Sequence, residues 1–517
     1  MNSRPVIPRI AGVMVPLFSI RTRTDAGIGD IAALHAMADL AAAIGHRGIL
    51  LLPLDETGPG EASPYSALSL FAIDPIYIGL DGIPGVAPDA VARLRRALEH
   101  IPLSDRPAIR AVRLELLEAA FRHFAAHGDE RAAVDAFAAR NREWLDDYAL
   151  FRVLKDRFKF AAWEQWPEEG LRLREPGALA RARGELAEPI AKYIYWQFLA
   201  HRQWAELRIH ARARGVLLGG DLAFSPGRDS AEVWARQSQF DLARTVGAPP
   251  DGFNPQGQRW GLPMPRWERI RADRFALLRE RTRHACVLYD FVRVDHVVGL
   301  YRTFSFGLAP EAEGGFSPAA EPEQRAQGEA VMGAILEEAG EAIVVAEDLG
   351  VIPLFVRISL SAMGVPGYKV MRWEKVGEGA SAGEFISPAD YPELSLATTG
   401  THDTDTLAQW WDEAPADERA RMLRLLTLSA ASASGAETGF DEVRDAILKA
   451  LYAAPSRLVI IPIQDLFGWR ERINFPGTVG PANWSWRIPL AIEEMLGDPA
   501  LAARMAQLRQ MALQGGR

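Results

Sequence analysis

Residues 342–353 read AIVVAEDLGVIP: five apolar residues lead directly into Glu347 and Asp348, and a turn with Gly and Pro follows. Almost continuous apolarity over so short a run is typical of a parallel strand that is covered on both faces. The Gly and Pro favour a turn at the end of that strand. The two acids are therefore either solvated residues of a surface corner or part of a site at the end of a strand.

Seven further runs of this type occur along the chain, and helical patterns separate several of them. The pattern at residues 31–45, for example, predicts a helix with Asp30 as its N-cap and Gly45 at its end. Alternation of strands and helices over eight strands predicts an α/β fold of the (β/α)8 TIM-barrel type. The eight runs are GVMVPLF (12–18), GILLLPL (48–54), GVLLGGDLAF (215–224), CVLYDFVRVDH (286–296), AIVVAEDLG (342–350), GYKVMRW (367–373), LATTGTHD (396–403) and LVIIPIQDL (458–466).

Two connections are too long for a simple crossover between strands. Residues 55–214 separate the second and third strands and predict a largely helical insertion, with a helical subdomain at residues 85–190. Residues 225–285 separate the third and fourth strands and carry a Gly/Pro-rich stretch, 247–265, which we predict to be an active-site loop on the rim of the barrel. We expect residues 1–517 to form a single catalytic barrel that carries both insertions.

Composition narrows the class of protein. The 517 residues are 48% hydrophobic and 24% charged with a net charge of −9, which argues against a nucleic-acid partner because phosphate binding needs a basic face. The sequence shows neither a signal-peptide pattern nor a membrane-length apolar stretch, so we expect no membrane partner and a cytoplasmic location. The single cysteine, Cys286, excludes an intrachain disulfide and is interpreted as a small buried residue of the fourth strand.

Charged residues and histidines follow several of the predicted strands. Active sites of TIM barrels form at the carboxyl ends of the strands, so these residues are expected to converge. Their repetition at strands four, five and seven favours an active-site rim over a surface corner. In strand order they are Asp221 after the third strand, Arg293, Asp295 and His296 after the fourth, Glu347 and Asp348 after the fifth, His402 and Asp403 after the seventh, and Gln464 and Asp465 after the eighth.

Two other kinds of chemistry are poorly supported. Metal-dependent barrel hydrolases typically carry His-X-His after the first strand, whereas this chain has Pro16-Leu17-Phe18-Ser19 there, and its histidines lack HExxH spacing. A phosphate or dinucleotide site is poorly supported because the chain has no GxxxxGK motif and no dinucleotide glycine fingerprint. The sequence therefore indicates no cofactor and no metal ligands.

Chemistry at a glycosidic bond fits the predicted rim better. It needs one carboxylate to attack the anomeric carbon and one carboxylic acid to protonate the leaving oxygen. Arg293 lies two residues before Asp295, so both side chains point to the same side of a strand, and a nearby positive charge keeps a nucleophile ionised. Sugar binding also needs flat apolar surfaces, which Tyr65 and Trp260 offer in predicted rim loops.

Ordered motifs extend almost from one end of the chain to the other. They are Gly27-Ile28-Gly29-Asp30, Leu52-Pro53-Leu54, Ser63-Pro64-Tyr65, Gly220-Asp221-Leu222, Ser230, Val233-Trp234, Pro249-Pro250-Asp251, Gly257-Gln258-Arg259-Trp260-Gly261, Arg293-Val294-Asp295-His296, Ala346-Glu347-Asp348-Leu349-Gly350, Gly400-Thr401-His402-Asp403, Asn474-Phe475-Pro476-Gly477-Thr478 and Asn483-Trp484. In these motifs the chain resembles the amylomaltase or disproportionating-enzyme family of 4-α-glucanotransferases, which are relatives of the α-amylases.

The resemblance implies a retaining double displacement on α-1,4-glucans, maltooligosaccharides and glucose. It implies that Asp295 is the nucleophile, that Glu347 is the acid and then the base, and that Asp403 holds the 2- and 3-hydroxyls of the sugar. The binding roles that it implies are hydrogen bonding by His296 and His402, pairing of Arg293 with Asp295, support by Asp221, and stacking by Tyr65 and Trp260.

The chain departs from the family pattern at three places. Residues 262–265 read Leu-Pro-Met-Pro where many members have Asn-Pro-Leu-Tyr, residues 297–298 read Val-Val for Phe-Arg, and residues 222–225 read Leu-Ala-Phe-Ser for Pro-Ile-Tyr-Val. We expect these changes to remove polar and aromatic groups near the groove, so the family pattern does not predict acceptor choice, glucan length preference or the ratio of transfer to hydrolysis for this chain. An α-glucan hydrolase and a non-catalytic glucan-binding protein stay as alternatives.

Overall fold

Two sheets organise the computed structural model, which describes residues 6–250, 257–309, 312–379, 381–427 and 438–517. In chain order its strands are β1 (Ile10–Met14), β2 (Gly48–Leu50), β3 (Leu217–Leu222), β4 (Phe240–Ala248), β5 (Gln258–Pro265), β6 (Phe291–Val294), β7 (Thr303–Gly307), β8 (Gly314–Ser317), β9 (Ile343–Ala346), β10 (Gly367–Val370), β11 (Ser395–Thr398) and β12 (Leu458–Pro462). One sheet is parallel, in the order β10-β11-β12-β1-β2-β3-β6-β9, and the other is antiparallel, in the order β5-β4-β7-β8.

The parallel sheet is almost closed into a barrel between β9 and β10. The Ala346 N–H at the end of β9 donates to the Pro366 carbonyl (2.9 Å), and the Asp348 carboxylate accepts from the Tyr368 N–H (2.7 Å). Every residue of β1, β6, β9, β11 and β12 is buried, as expected for apolar strands that are covered on both faces. The predicted (β/α)8 TIM barrel is confirmed.

The connection from β1 to β2 contains the predicted helix, which begins three residues after Asp30, at Ala33. The Asp30 carboxylate nevertheless accepts a hydrogen bond from the Ala33 N–H (3.2 Å) and pairs with Arg113 (3.1 Å). Gly45 follows the helix with φ +75°, a conformation that glycine adopts without steric cost and that ends helices.

The connection from β2 to β3 is largely helical, as predicted. Its helices are Pro88–Leu98, Arg106–His127, Arg131–Arg140, Arg142–Arg157, Glu169–Arg172, Pro176–Glu185 and Ala187–Ala213. The other helices are Ala33–Ala43, Ala231–Ala235, Trp267–Ala272, Ala276–Leu288, Val298–Tyr301, Glu321–Ala339, Leu354–Ala362, Leu407–Glu413, Ala416–Leu425, Phe440–Ala453, Ile463–Phe467, Ile492–Gly497 and Pro499–Gln514. None of the helices in the described ranges combines the length and the apolar character that a membrane span needs.

The connection from β3 to β6 differs from the prediction. The sequence predicts a loop over residues 247–265, whereas residues 247–248 belong to β4 and residues 258–265 form β5. Both strands join β7 and β8 in the antiparallel sheet, which we call the rim sheet. Pro263 and Pro265 argue against a strand, but β5 is an edge strand, where a proline interrupts no ladder on the outer side. Residues 251–256, including Asp251 of the family motif, lie outside the described residues.

Two predicted strand runs, at 286–296 and 458–466, also include residues of α-helices. The fourth barrel strand begins at Phe291, and Cys286 lies instead in the helix Ala276–Leu288, where it is only partly buried. The eighth barrel strand ends at Pro462, so Asp465 lies in the short helix Ile463–Phe467 instead of at the end of a strand. There its carboxylate accepts hydrogen bonds from the Thr399 hydroxyl and the Leu407 N–H. A short apolar run is compatible with a strand or a buried helix, which explains both errors.

Candidate active site

An open groove of about 590 Å³ lies at the carboxyl ends of the barrel strands and is flanked by the rim sheet. Residues that follow β2, β3, β6, β9, β10, β11 and β12 line it together with residues of β5. The structure brings to this groove eight of the predicted site residues: Tyr65, Trp260, Arg293, Asp295, His296, Glu347, His402 and Asp403. The ninth, Asp221, lies below them in the barrel interior, beside Arg293.

Arg293 holds three carboxylates together. Its Nη1 lies 2.8 Å from Asp295 Oδ1 and 2.7 Å from Asp221 Oδ2, and its Nη2 lies 3.9 Å from Glu347 Oε2. Burial disfavours the charged guanidinium, but the charges of Asp221 and Asp295 outweigh burial and hold the pKa of Arg293 well above its ordinary value. The cation is therefore permanent, and it fixes the position of the Asp295 carboxylate.

Backbone N–H groups hold the Glu347 carboxylate. Its Oε2 accepts from the His296 N–H (2.8 Å) and its Oε1 from the Leu349 N–H (3.1 Å). Burial and the neighbouring Asp295 charge raise the pKa of Glu347 to about 7, against the opposing charge of Arg293. A carboxyl group with this pKa can donate a proton and take one back near neutral pH.

Asp348, the second acid of the opening stretch, has a different environment. Its side chain points to the junction of β9 and β10, where Oδ1 accepts from the Tyr368 N–H (2.7 Å) and Oδ2 from Arg357 Nε (3.2 Å). Adjacent residues of an extended chain point to opposite sides, so Glu347 reaches the groove while Asp348 closes the barrel.

Asp403 is held by two neighbours. Its Oδ1 accepts from Asn474 Nδ2 (2.7 Å), and its Oδ2 lies 3.3 Å from His402 Nε2. Burial favours the neutral acid, but the charge of His402 and the hydrogen bond from Asn474 prevail and hold the pKa of Asp403 well below its ordinary value. In turn Asp403 raises the pKa of His402 against the effect of burial. Asn474 lies in the family motif at residues 474–478, but the sequence predicted no role for it.

Tyr65 makes hydrogen bonds as well as offering a ring face. Its hydroxyl donates to Asp221 Oδ2 (2.7 Å) and lies 3.1 Å from His402 Nε2. Its ring stacks on the His402 ring at 22°, with the centroids 5.4 Å apart. The sequence predicted only a stacking platform at Tyr65. Its hydrogen-bond partners Asp221 and His402 lie 156 and 337 positions away in the chain, so these contacts exist only in the folded protein.

Aromatic residues beyond the predicted pair line the groove. Trp373, at the end of the sixth predicted run, is 51% exposed, and Phe475, next to Asn474 in a family motif, is 37% exposed. Trp484 and Phe224 complete the set. The sequence carries a signal for each of these residues. Phe224 and Trp373 end predicted strand runs, and Phe475 and Trp484 lie in family motifs.

The structure also corrects the expectation for the three departures from the family pattern. Phe224 keeps an aromatic ring at the groove, so the expected loss of aromatic groups is wrong at this position. Val297 and Val298 are buried and do not line the groove, whereas Leu262 does.

Comparison with known proteins identifies the family to which the chain belongs. Residues 15–492 match the family model of glycoside hydrolase family 77, described as 4-alpha-glucanotransferase. The chain is 30% identical over 501 residues to the 4-alpha-glucanotransferase of Chlamydia pneumoniae, and the aligned region covers 94% of this chain and 92% of that protein. It is 35% identical over 463 residues to the 4-alpha-glucanotransferase of Thermus thermophilus, with 86% and 88% covered.

Solved structures show the same similarity. The amylomaltase of Streptococcus agalactiae, solved in complex with acarbose, superposes with a TM-score of 0.83 at 26% identity, covering 98% of this chain and 99% of that one. The amylomaltase of Corynebacterium glutamicum has the same fold, with a TM-score of 0.80 at 23% identity over 98% of this chain and 75% of that one. The chain therefore belongs to the 4-alpha-glucanotransferases of glycoside hydrolase family 77, the amylomaltases.

Proposed function

We propose that this 4-α-glucanotransferase moves α-1,4-glucan segments from a donor to an acceptor glucan or glucose by a retaining double displacement. One observation carries the proposal: Asp295 and Glu347 approach the same Arg293 side chain in one groove, at 2.8 Å and 3.9 Å. A retaining mechanism needs two carboxyl groups on either side of one glycosidic bond, one ionised and one protonated.

In the first step an Asp295 oxygen attacks the anomeric carbon of the donor. The bond from that carbon to the glycosidic oxygen breaks, and the departing 4-hydroxyl takes the proton of Glu347. The contact with Arg293 supports Asp295 as the nucleophile, and the pKa of about 7 supports Glu347 as the proton donor. The product is a covalent glycosyl ester on Asp295 and a shortened glucan.

In the second step the 4-hydroxyl of an acceptor sugar attacks the same carbon. Glu347, now ionised, takes the proton of this hydroxyl, and the ester bond to Asp295 breaks so that both carboxyl groups return to their starting states. Because each step inverts the anomeric carbon, the α-configuration is retained. Water in place of the acceptor sugar would give hydrolysis.

The other predicted residues act on the sugar in this proposal. Asp403, held ionised by His402 and Asn474, accepts hydrogen bonds from the 2- and 3-hydroxyls and stabilises the distorted ring of the transition state. Burial lowers the pKa of His296 to about 4, which supports a neutral imidazole that donates to a sugar hydroxyl. Tyr65 is proposed to stack on a bound glucose.

The substrate class rests on the relatives and on the groove. The amylomaltase of Streptococcus agalactiae was solved with acarbose, and the groove here combines exposed aromatic rings with acids, as binding of a maltooligosaccharide requires. Trp260 belongs to the rim sheet, which we propose covers the reacting bond and lowers access for water. We further propose that the barrel and both insertions form one catalytic unit and that it acts in the cytoplasm, which the single cysteine supports.

Incubation with maltotriose tests the proposed function. Transfer predicts longer maltodextrins together with glucose, whereas accumulation of glucose and maltose alone would show an α-glucan hydrolase. Asp295→Asn is expected to abolish both products and to leave affinity for maltooligosaccharides intact. Binding without any turnover by the parent protein would show a non-catalytic glucan-binding protein.

A further inference from the structure

His296 has an unusual backbone conformation, with φ +46°. This left-handed region is disfavoured for a residue with a side chain, and such residues concentrate at functional sites. His296 comes directly after Asp295 in the chain, and this conformation lets its N–H donate to Glu347 Oε2 (2.8 Å). The backbone of His296 is therefore fixed by the proposed proton donor, and the direction of its imidazole depends on what packs against the ring.

Two aromatic rings pack against that imidazole. The Phe224 ring lies 5.5 Å from it, centroid to centroid, at 88°, and the Trp260 ring lies 4.8 Å from it at 85°. Both contacts are edge-to-face, the geometry that aromatic rings favour. Among the residues that the structure describes, none makes a hydrogen bond to the imidazole nitrogens of His296, and within this part of the chain the contacts that orient the imidazole are those with the two rings.

Gly299 makes this packing possible. A Cβ atom at residue 299 would lie 2.6 Å from Phe224 Cε2 and 2.7 Å from His296 Cδ2. Cβ atoms essentially never approach another heavy atom this closely in proteins, and both neighbouring atoms belong to rigid rings. The short helix Val298–Tyr301 thus passes close to the two rings only because it carries a glycine at this place.

We propose that Phe224 and Trp260 are positioning residues that together hold the His296 imidazole in the direction in which it stabilises the transition state. We call the pair the His296 clamp. Phe224 follows barrel strand β3, while Trp260 belongs to β5 of the rim sheet, so the clamp joins the barrel and the rim sheet at the reacting centre. The rim sheet then contributes to the rate through Trp260 in addition to any stacking on glucan. This inference rests on the role proposed for His296 in transfer.

A double-mutant cycle on transfer from maltotriose tests the clamp. Phe224→Leu is expected to lower kcat by about 10-fold and to change KM by less than about 2-fold, because a displaced donor costs transition-state stabilisation and little binding. Phe224→Tyr, which keeps the edge-to-face ring, is expected to stay close to the parent. In the His296→Ala background, Phe224→Leu is expected to have almost no further effect, since residues that act through one group are not additive.

A second variant and a control separate positioning from general destabilisation. Phe224→Met preserves most of the volume but removes the ring, and it is expected to repeat the kcat loss. Phe121→Leu, at a similarly buried phenylalanine in the helix Arg106–His127, is expected to lower Tm without changing kcat. In Phe224→Leu, NMR titration is expected to show the pKa of His296 rising from about 4 towards its ordinary value as water reaches the ring.

The outcomes distinguish the clamp from the proposed function. The clamp would be overturned by a parental kcat in Phe224→Leu and Phe224→Met. It would also be overturned if Phe224→Leu lowered kcat by the same factor in the His296→Ala background as in the parent. In either case, a large loss of kcat in His296→Ala would still support the role of His296. A parental kcat in His296→Ala would overturn that role and the clamp with it. Gly299→Ala, which drives a methyl group between the two rings, is expected to lower kcat as Phe224→Leu does.

Discussion

The Asp295 carboxylate lies 2.8 Å from the guanidinium of Arg293, two residues earlier in the chain. Arg293 lies in β6 and Asp295 directly follows that strand, so their side chains point to the same side. The same guanidinium also contacts Asp221 at 2.7 Å. The proposed nucleophile is thus held by a cation that cannot lose its proton and that is itself anchored by a second carboxylate. Because Nη1 contacts both aspartates and Nη2 faces Glu347, we expect the arrangement to depend on the two terminal nitrogens of the guanidinium as much as on its charge.

Arg293→Lys tests that dependence. A lysine ammonium keeps the positive charge but cannot span Asp221, Asp295 and Glu347 from one position, so we expect kcat/KM for maltotriose to fall by about 100-fold. The matched control is Arg279→Lys, in the helix Ala276–Leu288, where a lysine can still reach Glu337. An Arg293→Lys variant with parental kcat/KM would show that charge alone is sufficient.

The pKa of Glu347 predicts the pH dependence of transfer. Glu347 must be protonated for the first step, and because burial raises its pKa to about 7, the protonated fraction falls as the pH rises through 7. We therefore expect kcat/KM to decrease above about pH 7 with a single ionisation. The measurement is a pH profile between pH 5 and 9, and a decrease that begins at about pH 5 would contradict the assignment.

The same pKa has a consequence for stability. The folded chain binds the Glu347 proton more tightly than the unfolded chain, so the free energy of unfolding that this group contributes falls as the pH rises from its ordinary pKa of 4.5 to about 7. Glu347→Gln removes the titrating group. We expect its Tm to exceed that of the parent by more at pH 8 than at pH 4, and an equal difference at both pH values would contradict the buried environment.

Asn474→Ala removes the hydrogen bond that orients Asp403. The Asp403 carboxylate would lose its 2.7 Å contact and keep only His402, so we expect kcat to fall by about 10-fold or more while the fold is retained. Asn141→Ala, in the helical insertion, is the control for loss of an asparagine and is expected to leave kcat unchanged. Parental kcat in Asn474→Ala would show that Asp403 does not need this support.

Tyr65→Phe separates the two properties of Tyr65. The variant keeps the ring that stacks on His402 but loses the hydroxyl that donates to Asp221, so we expect kcat to fall by about 10-fold with KM nearly unchanged. Tyr65→Ala, which removes the ring as well, is expected to raise KM in addition. If Tyr65→Phe equals the parent and Tyr65→Ala raises KM, only stacking matters.

Patterns local to the chain predicted much of the fold and of the site. Continuous apolar runs identified the eight barrel strands, and the rule that barrel sites form at carboxyl ends placed Asp295, Glu347 and Asp403 together. The contacts between distant residues could not be predicted in this way, because Tyr65 meets Asp221, and Asn474 meets Asp403, only through the register of the closed barrel.

The rim sheet was missed for a different reason. Gly and Pro in residues 258–265 are signals for a loop, yet β5 pairs with β4. Among the described residues no strand pairs with the other side of β5, so its prolines interrupt no ladder there. Tertiary context therefore outweighed local preference there. The same limit explains Cys286: the run from 286 to 290 is apolar enough for a strand, but its first residues complete a helix that packs on the barrel.

Trapping the glycosyl ester tests the central claim most directly. In Glu347→Gln, a maltotriosyl fluoride needs no proton donor for its leaving group, so Asp295 can still be glycosylated, while the missing base slows the second step. Mass spectrometry of the digested protein is predicted to show one maltotriosyl group on the peptide that contains Asp295, and none when Asp295→Asn is added. A maltotriosyl group on a peptide without Asp295, or fluoride release with no labelled peptide, would contradict the double displacement at this residue.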